Sequence, residues 1–375
     1  MNYVERYTEL NRLFSINNST SVIYTPYATI HFASFESIPE MCHHTSSNHI
    51  IDVDALISEN MHFVYPIFMP HSTVRSGKAI LLLHGLNERS WNKYLAWAEY
   101  LCYTTNKPVI LFPLAYHINR CPSSWSNPRE IATIFHLRRQ LNGNDRYISV
   151  ANVVLSNRIS EKPHRFYCSG RQSIADICSL ISTIYKGVHP MLPDVSTVDI
   201  FAYSIGAFVA EIALLANPLN LFDDTKLFLF CGGSVFSAMQ GKSRGIMDTN
   251  AFDMLHTYYL QERNNHLKQF QKNDAIDAAF ETMISAQYNK QVREKFFLSM
   301  GNKIKGIALS KDVVIPYAGI VEALGSVCAN NQITQLDFDY QYSHENPFPT
   351  NHIHQTNEVN EGFNQVFSYA RDFFS

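Results

Sequence analysis

Three side chains at the ends of apolar runs have the types needed for nucleophilic catalysis. Ser204 lies in the stretch AYSIG, Asp312 in LSKDVV and His344 in QYSHEN. A serine hydroxyl is a poor nucleophile until a base accepts its proton and an acid orients that base. A serine followed along the chain by an acid and a histidine is therefore a candidate for attack on a carbonyl carbon.

The residues around Ser204 are small, as a sharp turn between a strand and a helix requires. The stretch VDIFAY before the serine has the pattern of a buried strand, and AFVAEIALLAN after it that of a buried helix. The central residue of such a turn adopts a positive φ, which lifts its side chain clear of the sheet. Ala202 and Gly206 leave room where strand and helix pass closely. We therefore expect Ser204 beside a helix N-terminus, which favours an anion.

The acid and the base each have alternatives. Asp312 follows a strand predicted in KIKGIALSKD, and His344 ends a strand predicted over residues 335–344. Either residue could instead be a loop residue, with the aspartate capping a helix. The base could also lie on a longer loop, which leaves His354 or His352 in that role. We prefer His344 because it follows its strand directly, so that Asp312 can orient it toward the serine.

Strand and helix patterns alternate from about residue 78 to the end of the chain. KAILLLHG and KPVILFPLAYH are continuous apolar runs, typical of strands buried on both faces of a sheet. SIADICSLISTIYKG is an amphipathic helix that we expect to stop at Gly187. The alternation predicts an α/β fold with a doubly wound, mostly parallel sheet, whose ligands bind at the carboxyl ends of the strands.

We expect one domain over residues 1–375. Residues 1–60 would form an N-terminal extension with early strands that packs on the sheet edge. The helical patterns over about 241–300 make too long a connection for an ordinary crossover and predict an inserted lid. Most aromatic residues of that segment are expected in its core, although some could line an acyl pocket: Phe252, Tyr258, Tyr259 and Phe270.

With this order of elements and its AYSIG turn, the chain resembles the α/β-hydrolases, whose nucleophile elbow reads G-x-S-x-G. The resemblance covers roughly residues 60–375, and Ala202 stands where the family usually has glycine. It implies that Ser204 is the nucleophile, His344 the base and Asp312 the orienting acid. Haloalkane and epoxide hydrolases would require an aspartate at the elbow instead.

The resemblance also implies an oxyanion hole after an early strand of the parallel sheet. His84-Gly85 in LLLHGLNERSW resembles the family's His-Gly motif. The backbone donors would then be the N–H groups of Ile205 and of Leu86, or of Asn87 in its place. Gly85 would let the backbone approach the substrate, and His84 is expected to brace the loop rather than to react.

Further polar residues follow the next strand of the sheet, in LAYHINRCPSSWSNPRE. His117 and Arg120 are candidates for substrate binding, the arginine by pairing with a carboxylate or phosphate, and Tyr203 beside the serine is a third. The alternative is a loop held by its own hydrogen bonds around a buried Trp125. This loop and the HENPFP tail differ from familiar lipases, peptidases and dehalogenases, and they suggest a bacterial branch of the superfamily.

Composition limits the partners. The chain has 375 residues, 46% of them hydrophobic and 17% charged, with a formal net charge of −3. It can bury a large core, and without a basic run it is not expected to bind nucleic acid. No apolar run has the roughly 20 residues of a membrane span. Seven scattered cysteines without a signal-peptide pattern predict a reduced, cytoplasmic protein.

No cofactor and no metal are expected. His43, His44 and His49 lie in a polar loop without the paired ligand spacing of a metal site. The GGS stretch at 232–234 lacks the lysine of a phosphate loop, and no G-x-G-x-x-G follows a strand.

Two functions from different classes remain. The chain is either a hydrolase that cleaves a small-molecule ester or thioester through an acyl-enzyme, or a non-catalytic protein that uses the fold for binding or assembly. Only the first requires Ser204, Asp312 and His344 to lie within hydrogen-bond reach of one another.

Overall fold

In the computed structural model of this chain, the described residues form a nine-stranded sheet that is flanked by helices. The structure describes residues 1–19, 21–40, 54, 57–72, 76–143, 145–261, 271–351 and 353–375. The strands are β1 (Ile23–Tyr24), β2 (Ala28–Glu36), β3 (His62–Pro70), β4 (Lys78–Leu83), β5 (Val109–Leu111), β6 (Thr197–Tyr203), β7 (Leu227–Phe230), β8 (Ile304–Leu309) and β9 (Ile333–Leu336).

The α-helices of the described residues flank this sheet or cover the carboxyl ends of its strands. They are α1 (Tyr3–Leu13), α2 (Ser58–Met61), α3 (Asn92–Thr105), α4 (Pro128–Asn142), α5 (Val153–Glu161), α6 (Arg165–Tyr185), α7 (Ile205–Ala216), α8 (Thr249–Leu260), α9 (Ala275–Ile284), α10 (Lys290–Met300), α11 (Tyr317–Leu324), α12 (Ser326–Gln332) and α13 (Thr356–Phe374).

The strand order is β1-β2-β3-β5-β4-β6-β7-β8-β9. The first three strands pair antiparallel, β3 pairs antiparallel with β5, and all pairings from β5 to β9 are parallel. The doubly wound, mostly parallel sheet predicted from the sequence is therefore confirmed. Because β4, β6 and β7 are neighbours, their carboxyl ends meet at one edge of the sheet.

The central strands are apolar throughout because helices cover both of their faces. Residues 79–83, 198–203 and 227–230 are all buried. One face packs against α6 and α7, and the other against α1, α3 and α13. The N-terminal helix thus belongs to the second of these layers, while β1 and β2 extend the sheet at its antiparallel edge.

The helix end expected at Gly187 and the end of the helical stretch AFVAEIALLAN are both confirmed. Helix α6 ends at Tyr185, and Gly187 has a φ of +69°, which glycine adopts without a steric penalty. Helix α7 ends before Asn217, a left-handed residue that precedes Pro218. Of the helices that the structure describes, none combines the length and the apolar character needed to cross a membrane.

The last predicted strand is wrong in its position. Strand β9 covers Ile333–Leu336 and not 335–344, and the chain beyond it is irregular up to residue 344. The aromatic residues Phe338, Tyr340 and Tyr342 alternate with polar ones, which mimics the two-residue period of a strand. They are nevertheless buried in the core against α13, where the rings of Phe338 and Tyr340 stack at 5.1 Å.

The helical segment predicted as a lid divides into parts with different neighbours. Helix α8 packs against α5, whereas α9 packs against α7, and α10 against α11 and α12. Helices α4 and α5 belong to a second long insertion, between β5 and α6, that the sequence did not indicate. Arg138 of α4 forms a buried ion pair with Asp248, the N-cap residue of α8, and so joins the two insertions.

Candidate active site

Ser204 occupies a strained turn between β6 and α7. Its φ is 56° and its ψ is −123°, a backbone conformation that L-residues rarely adopt and that persists only where the surrounding structure enforces it. The turn brings α7 onto the end of β4: a Cβ atom built on Gly206 would lie 2.8 Å from backbone atoms of Leu83 and His84. The small residue expected at position 206 is therefore required by the close approach of the two elements.

Enlarging Gly206 should separate the two elements. We expect Gly206→Ala to lower the free energy of unfolding by about 1–3 kcal/mol, because neither backbone can give way cheaply. Gly170→Ala in the interior of α6 is the matched control: its Cβ meets nothing within 4 Å, so it should stabilise the protein by about 0.4–1 kcal/mol. Urea unfolding of both variants measures the difference, and equal stabilities would contradict the steric argument.

The structure brings together Ser204, His344 and Asp312. The Ser204 Oγ atom lies 2.7 Å from His344 Nε2, and His344 Nδ1 lies 2.8 Å from Asp312 Oδ2. All three side chains are buried. A proton on Nδ1 is held by the carboxylate, which leaves Nε2 free to accept the serine proton. Chemically, this arrangement can activate a hydroxyl as a nucleophile.

Asp312 is fixed by more than the histidine. Its Oδ1 atom accepts hydrogen bonds of 2.9 Å from the backbone N–H groups of both Val314 and Ile315. Burial and, after it, the charge of the neighbouring Asp312 carboxylate raise the pKa of the Cys231 thiol well above its ordinary value. Cys231 follows β7 with a φ of 46°. Cys231 was not among the residues predicted for the site, although it follows β7, the strand between β6 and β8.

Tyr203 was expected to contact the substrate, and this expectation needs correction. Its ring is buried and stacks on His344 with centroids 5.7 Å apart and an interplanar angle of 17°. Its hydroxyl donates a hydrogen bond to the backbone oxygen of His344. Tyr203 is the last residue of β6, and its side chain is buried in the core. Its two contacts therefore connect His344 to the sheet and help to fix the position of the histidine.

Of the two alternative bases, His354 does not line the cavity that contains Ser204. His354 is exposed in a short 3-10 turn before α13. His352 falls outside the described residues. His344 lies in the irregular segment that follows β9. Its position therefore depends on how the aromatic residues of that segment pack in the core, and not on the end of a strand.

The expected oxyanion donors flank the same cavity as the serine. Leu86 and Ile205 both line the cavity that contains Ser204. Within the described part of the chain, neither of their backbone N–H groups donates a hydrogen bond. Asn87, the alternative to Leu86, has a φ of 63°, and its side chain is bound to the carbonyl oxygens of Ala151 and Gly245.

The His-Gly pair before Leu86 is structural. His84 is fully buried: its Nδ1 bonds the Gly85 oxygen at 2.8 Å, and its Nε2 accepts from the Leu114 N–H at 2.9 Å. Burial holds the pKa of His84 well below the ordinary value. A Cβ atom on Gly85 would lie 3.1 Å from the ring of Tyr203, so packing against that ring favours glycine at this position.

Apolar residues line the cavity that contains Ser204. They include Phe166 at the start of α6 and Phe252 and Leu255 of α8, which belongs to the predicted lid. Two further cavities adjoin this one, since Leu86 and Phe166 line all three. One of the two, the apolar cavity, extends between α6 and α7 and has mainly apolar walls. The other, the polar cavity, extends toward α5 and has more polar walls. Tyr259 packs instead in the core, Tyr258 does not line these cavities, and Phe270 is outside the described residues.

Arg120 does not bind substrate in this structure, which corrects the expectation from the sequence. Its side chain is fully buried and pairs with Asp176 at 2.7 Å. It also donates to the Asn60 side chain, the Asn60 backbone oxygen and the Pro113 oxygen. Each of the three guanidinium nitrogens thus donates into the protein, so the residue fastens the loop after β5, as the alternative interpretation proposed. Trp125 is only partly buried, and the guanidinium of Arg158 stacks on it at 4.0 Å.

His117, in contrast, lines both of the adjoining cavities. The described residues contain no cluster of three His, Cys, Asp or Glu side chains that could hold a metal ion. His43, His44 and His49 fall outside the described residues.

Comparison with known families and curated proteins gives a single match. The family described as "Family of unknown function (DUF6051)" matches residues 1–375. No curated protein matches the chain significantly.

Solved structures with the same architecture include several esterases. A carboxyl esterase from the fungus Tuber melanosporum aligns over 98% of this chain and 96% of its own, with 8% identity and a TM-score of 0.50. A bacterial heroin esterase covers 99% and 91% at 11% identity and a TM-score of 0.49. An esterase from Pyrobaculum calidifontis covers 99% and 90% at 8% identity and a TM-score of 0.48. At these identities the likeness to the fungal enzyme concerns the fold, and it confirms the α/β-hydrolase fold expected from the sequence.

Proposed function

The chain belongs to the DUF6051 family, whose function is unknown, and we propose that it is a serine hydrolase that cleaves a small-molecule carboxylic ester or thioester. The observation that carries the proposal is the chain of contacts from the Asp312 carboxylate through His344 to Ser204 Oγ, with spacings of 2.8 and 2.7 Å. Three residues separated by 108 and 32 positions in the sequence are thereby aligned for one proton transfer.

In the first half of the reaction the ester carbonyl lies over Ser204. The Oγ atom attacks the carbonyl carbon while its proton passes to His344 Nε2. Asp312 stabilises the imidazolium through the Nδ1 hydrogen bond. When the tetrahedral intermediate collapses, the bond to the leaving oxygen or sulfur breaks, and His344 returns the proton to the leaving group. The acyl group stays on Ser204.

In the second half, water repeats the sequence. His344 Nε2 accepts a proton from a water molecule, the resulting hydroxide attacks the acyl carbon, and the proton returns to Ser204 Oγ as the acid leaves. The negative charge of both intermediates would be held by the N–H groups of Leu86 and Ile205. That both groups lack an acceptor in the described structure supports this assignment, because an oxyanion hole needs donors that are available before the reaction.

The cap over the site is part of the same proposal. Within one domain of residues 1–375, the start of the predicted lid and the insertion that holds α4 and α5 would together select the substrate. Phe252 and Leu255 of α8 beside Ser204, and Val154 and Ile159 of α5 in the adjoining cavity, support an apolar acyl group. We propose no cofactor in this reaction, since the serine, histidine and aspartate supply all of its proton transfers.

The non-catalytic alternative predicted that the three side chains would lie apart. Their contact distances, together with a strained serine at the carboxyl end of β6, favour the hydrolase. Strain of this kind costs of the order of 1–3 kcal/mol and is typical of functional sites, where it helps to fix the geometry in advance.

Covalent labelling tests the proposal directly. A fluorophosphonate should phosphonylate the purified protein once, with loss of fluoride, and peptide mapping should place the adduct on Ser204. Ser204→Ala should give no adduct. Failure of a folded protein to react, both with this probe and with a smaller fluorophosphonate that passes the cap, would refute an activated serine and support the binding alternative.

A further inference from the structure

His117 has an unusual combination of burial and missing partner. The residue is only 9% exposed. Its Nδ1 bonds the backbone oxygen of Ala115 at 2.9 Å, whereas its Nε2 is buried and has no hydrogen-bond partner among the described residues. Since a buried polar atom without a partner is costly, and His117 lines two cavities beside the serine, a ligand that satisfies this atom is the simplest explanation.

The chemical role of Nε2 follows from its partner on the other side of the ring. The Ala115 carbonyl can only accept, so Nδ1 must carry the proton, and in the neutral ring Nε2 then carries a lone pair. Burial lowers the pKa of His117 to about 4, which keeps the ring neutral at physiological pH. The group that pairs with Nε2 must therefore donate a hydrogen bond.

The loop that carries His117 is held rigidly. Tyr116 and Ile118, the residues on either side, have φ values of 63° and 54°, and for a β-branched residue such as Ile118 this is a clear steric outlier. The conformation is held by Arg120 and Asn60: Arg120 donates to Asn60 and to Asp176, and Asn60 Oδ1 accepts the Tyr116 N–H at 3.1 Å. Arg120 is thus a positioning residue for the loop.

The walls around His117 define what else the ligand must carry. Leu86 and Phe166 connect its cavities to Ser204, and Ile205 borders both the serine and the apolar cavity. Phe208, Ile212 and other apolar residues of α7 also line that apolar cavity. A group that reaches His117 from an ester bound at Ser204 must pass these apolar side chains, so it belongs to a mainly apolar acyl chain.

We propose that His117 forms a specificity subsite for an acyl group that carries a hydroxyl or an amide N–H, which donates a hydrogen bond to His117 Nε2. This inference rests on the proposed hydrolase function and names the class of acyl group that it accepts.

A series of p-nitrophenyl esters with one leaving group tests the subsite. The acyl groups are butanoyl, 2-, 3- and 4-hydroxybutanoyl, and N-acetylglycyl, so the series separates a hydroxyl from an amide donor. The measured quantity is kcat/KM for each donor-bearing ester relative to butanoyl. The change of this ratio between wild type and variant cancels the intrinsic reactivities of the esters. We expect His117→Phe to lower the ratio about tenfold for at least one donor-bearing ester, the size of a lost hydrogen bond at a buried group.

Two further variants make the outcome specific. His117→Gln places an amide oxygen near the position of Nε2 and should recover part of the preference, which also keeps the test informative if the phenylalanine variant folds poorly. His136→Phe, at an exposed position on α4, should keep the wild-type ratio. An unchanged ratio in both His117 variants would overturn the subsite, and an internal water would then be the partner of Nε2. Absence of both butanoyl hydrolysis and fluorophosphonate labelling in the wild type would instead overturn the hydrolase, and the subsite with it.

Discussion

Ser204→Ala is expected to lower kcat for ester hydrolysis by about 10⁴- to 10⁶-fold, the loss seen when the nucleophile of a catalytic triad is removed. The hydroxyl is the only group of the site that can form the acyl-enzyme, so His344 and Asp312 have nothing to activate without it. The fold should tolerate the change, because the elbow requires a small residue and alanine is small. Hydrolysis of p-nitrophenyl butanoate and the melting temperature measure the two effects separately.

Ser234→Ala is the matched control for this variant. Ser234 is a fully buried serine in the loop after the neighbouring strand β7, and its hydroxyl bonds the backbone oxygen of Val235 at 3.0 Å. It has no contact with His344 among its described hydrogen bonds. Its replacement should cost about 1 kcal/mol of stability and leave hydrolysis within a factor of a few of wild type. Equal rates for Ser204→Ala and the wild type would remove Ser204 from the mechanism.

The elbow could be predicted from the sequence because its determinants are local. A buried strand, two small positions and a buried helix lie within residues 198–216, and each constrains the same turn. The alternation of strands and helices along the chain could be predicted for a related reason, since the strands buried on both faces are continuous apolar runs. Both features depend on residues that are neighbours in the chain.

His344 contacts Ser204 as the sequence predicted, but the structural reason for its position differs from the predicted one. The expected strand over residues 335–344 ends at Leu336. Burial of alternate aromatic residues gives the same period as a strand, so the pattern alone could not show that the backbone leaves the sheet. What places the histidine is packing: Tyr203 stacks beneath its ring, and this contact joins residues 141 positions apart.

The roles of Arg120 and His117 could not be distinguished from the sequence, since both lie in one polar loop. The partners that bury Arg120 are Asn60 and Asp176, which lie about 60 residues away in opposite directions. A fully buried arginine whose three nitrogens all donate inside the protein is unavailable to a ligand, whereas a histidine that lines a cavity with one nitrogen unsatisfied is available. That difference arises only in the folded chain.

The two insertions over the site show the same limit. Helices α5 and α8 have ordinary amphipathic patterns, and nothing in these patterns specifies that they pack against each other. The buried pair of Arg138 and Asp248 joins residues 110 positions apart. Helix α9, from the same predicted lid as α8, lies against α7 instead.

Asp312→Asn is expected to lower kcat by about 10⁴-fold while the melting temperature changes little. The reason is the direction of the hydrogen bonds. Two backbone N–H groups, from Val314 and Ile315, point at Oδ1 and require an oxygen there. The asparagine must therefore place its NH₂ group toward His344 Nδ1. An NH₂ group can only donate, so Nδ1 must give up its proton and Nε2 must carry it.

In that tautomer the histidine presents an N–H to Ser204 and cannot accept the serine proton. Binding is unaffected, so the loss should fall on kcat and on the rate of fluorophosphonate labelling, with KM nearly unchanged. Asp337→Asn, in an exposed acid that follows the next strand and pairs with Lys311, is the control and should retain wild-type kinetics. If Asp312→Asn instead hydrolysed esters within about tenfold of wild type, Asp312 would not be the residue that sets the tautomer of His344.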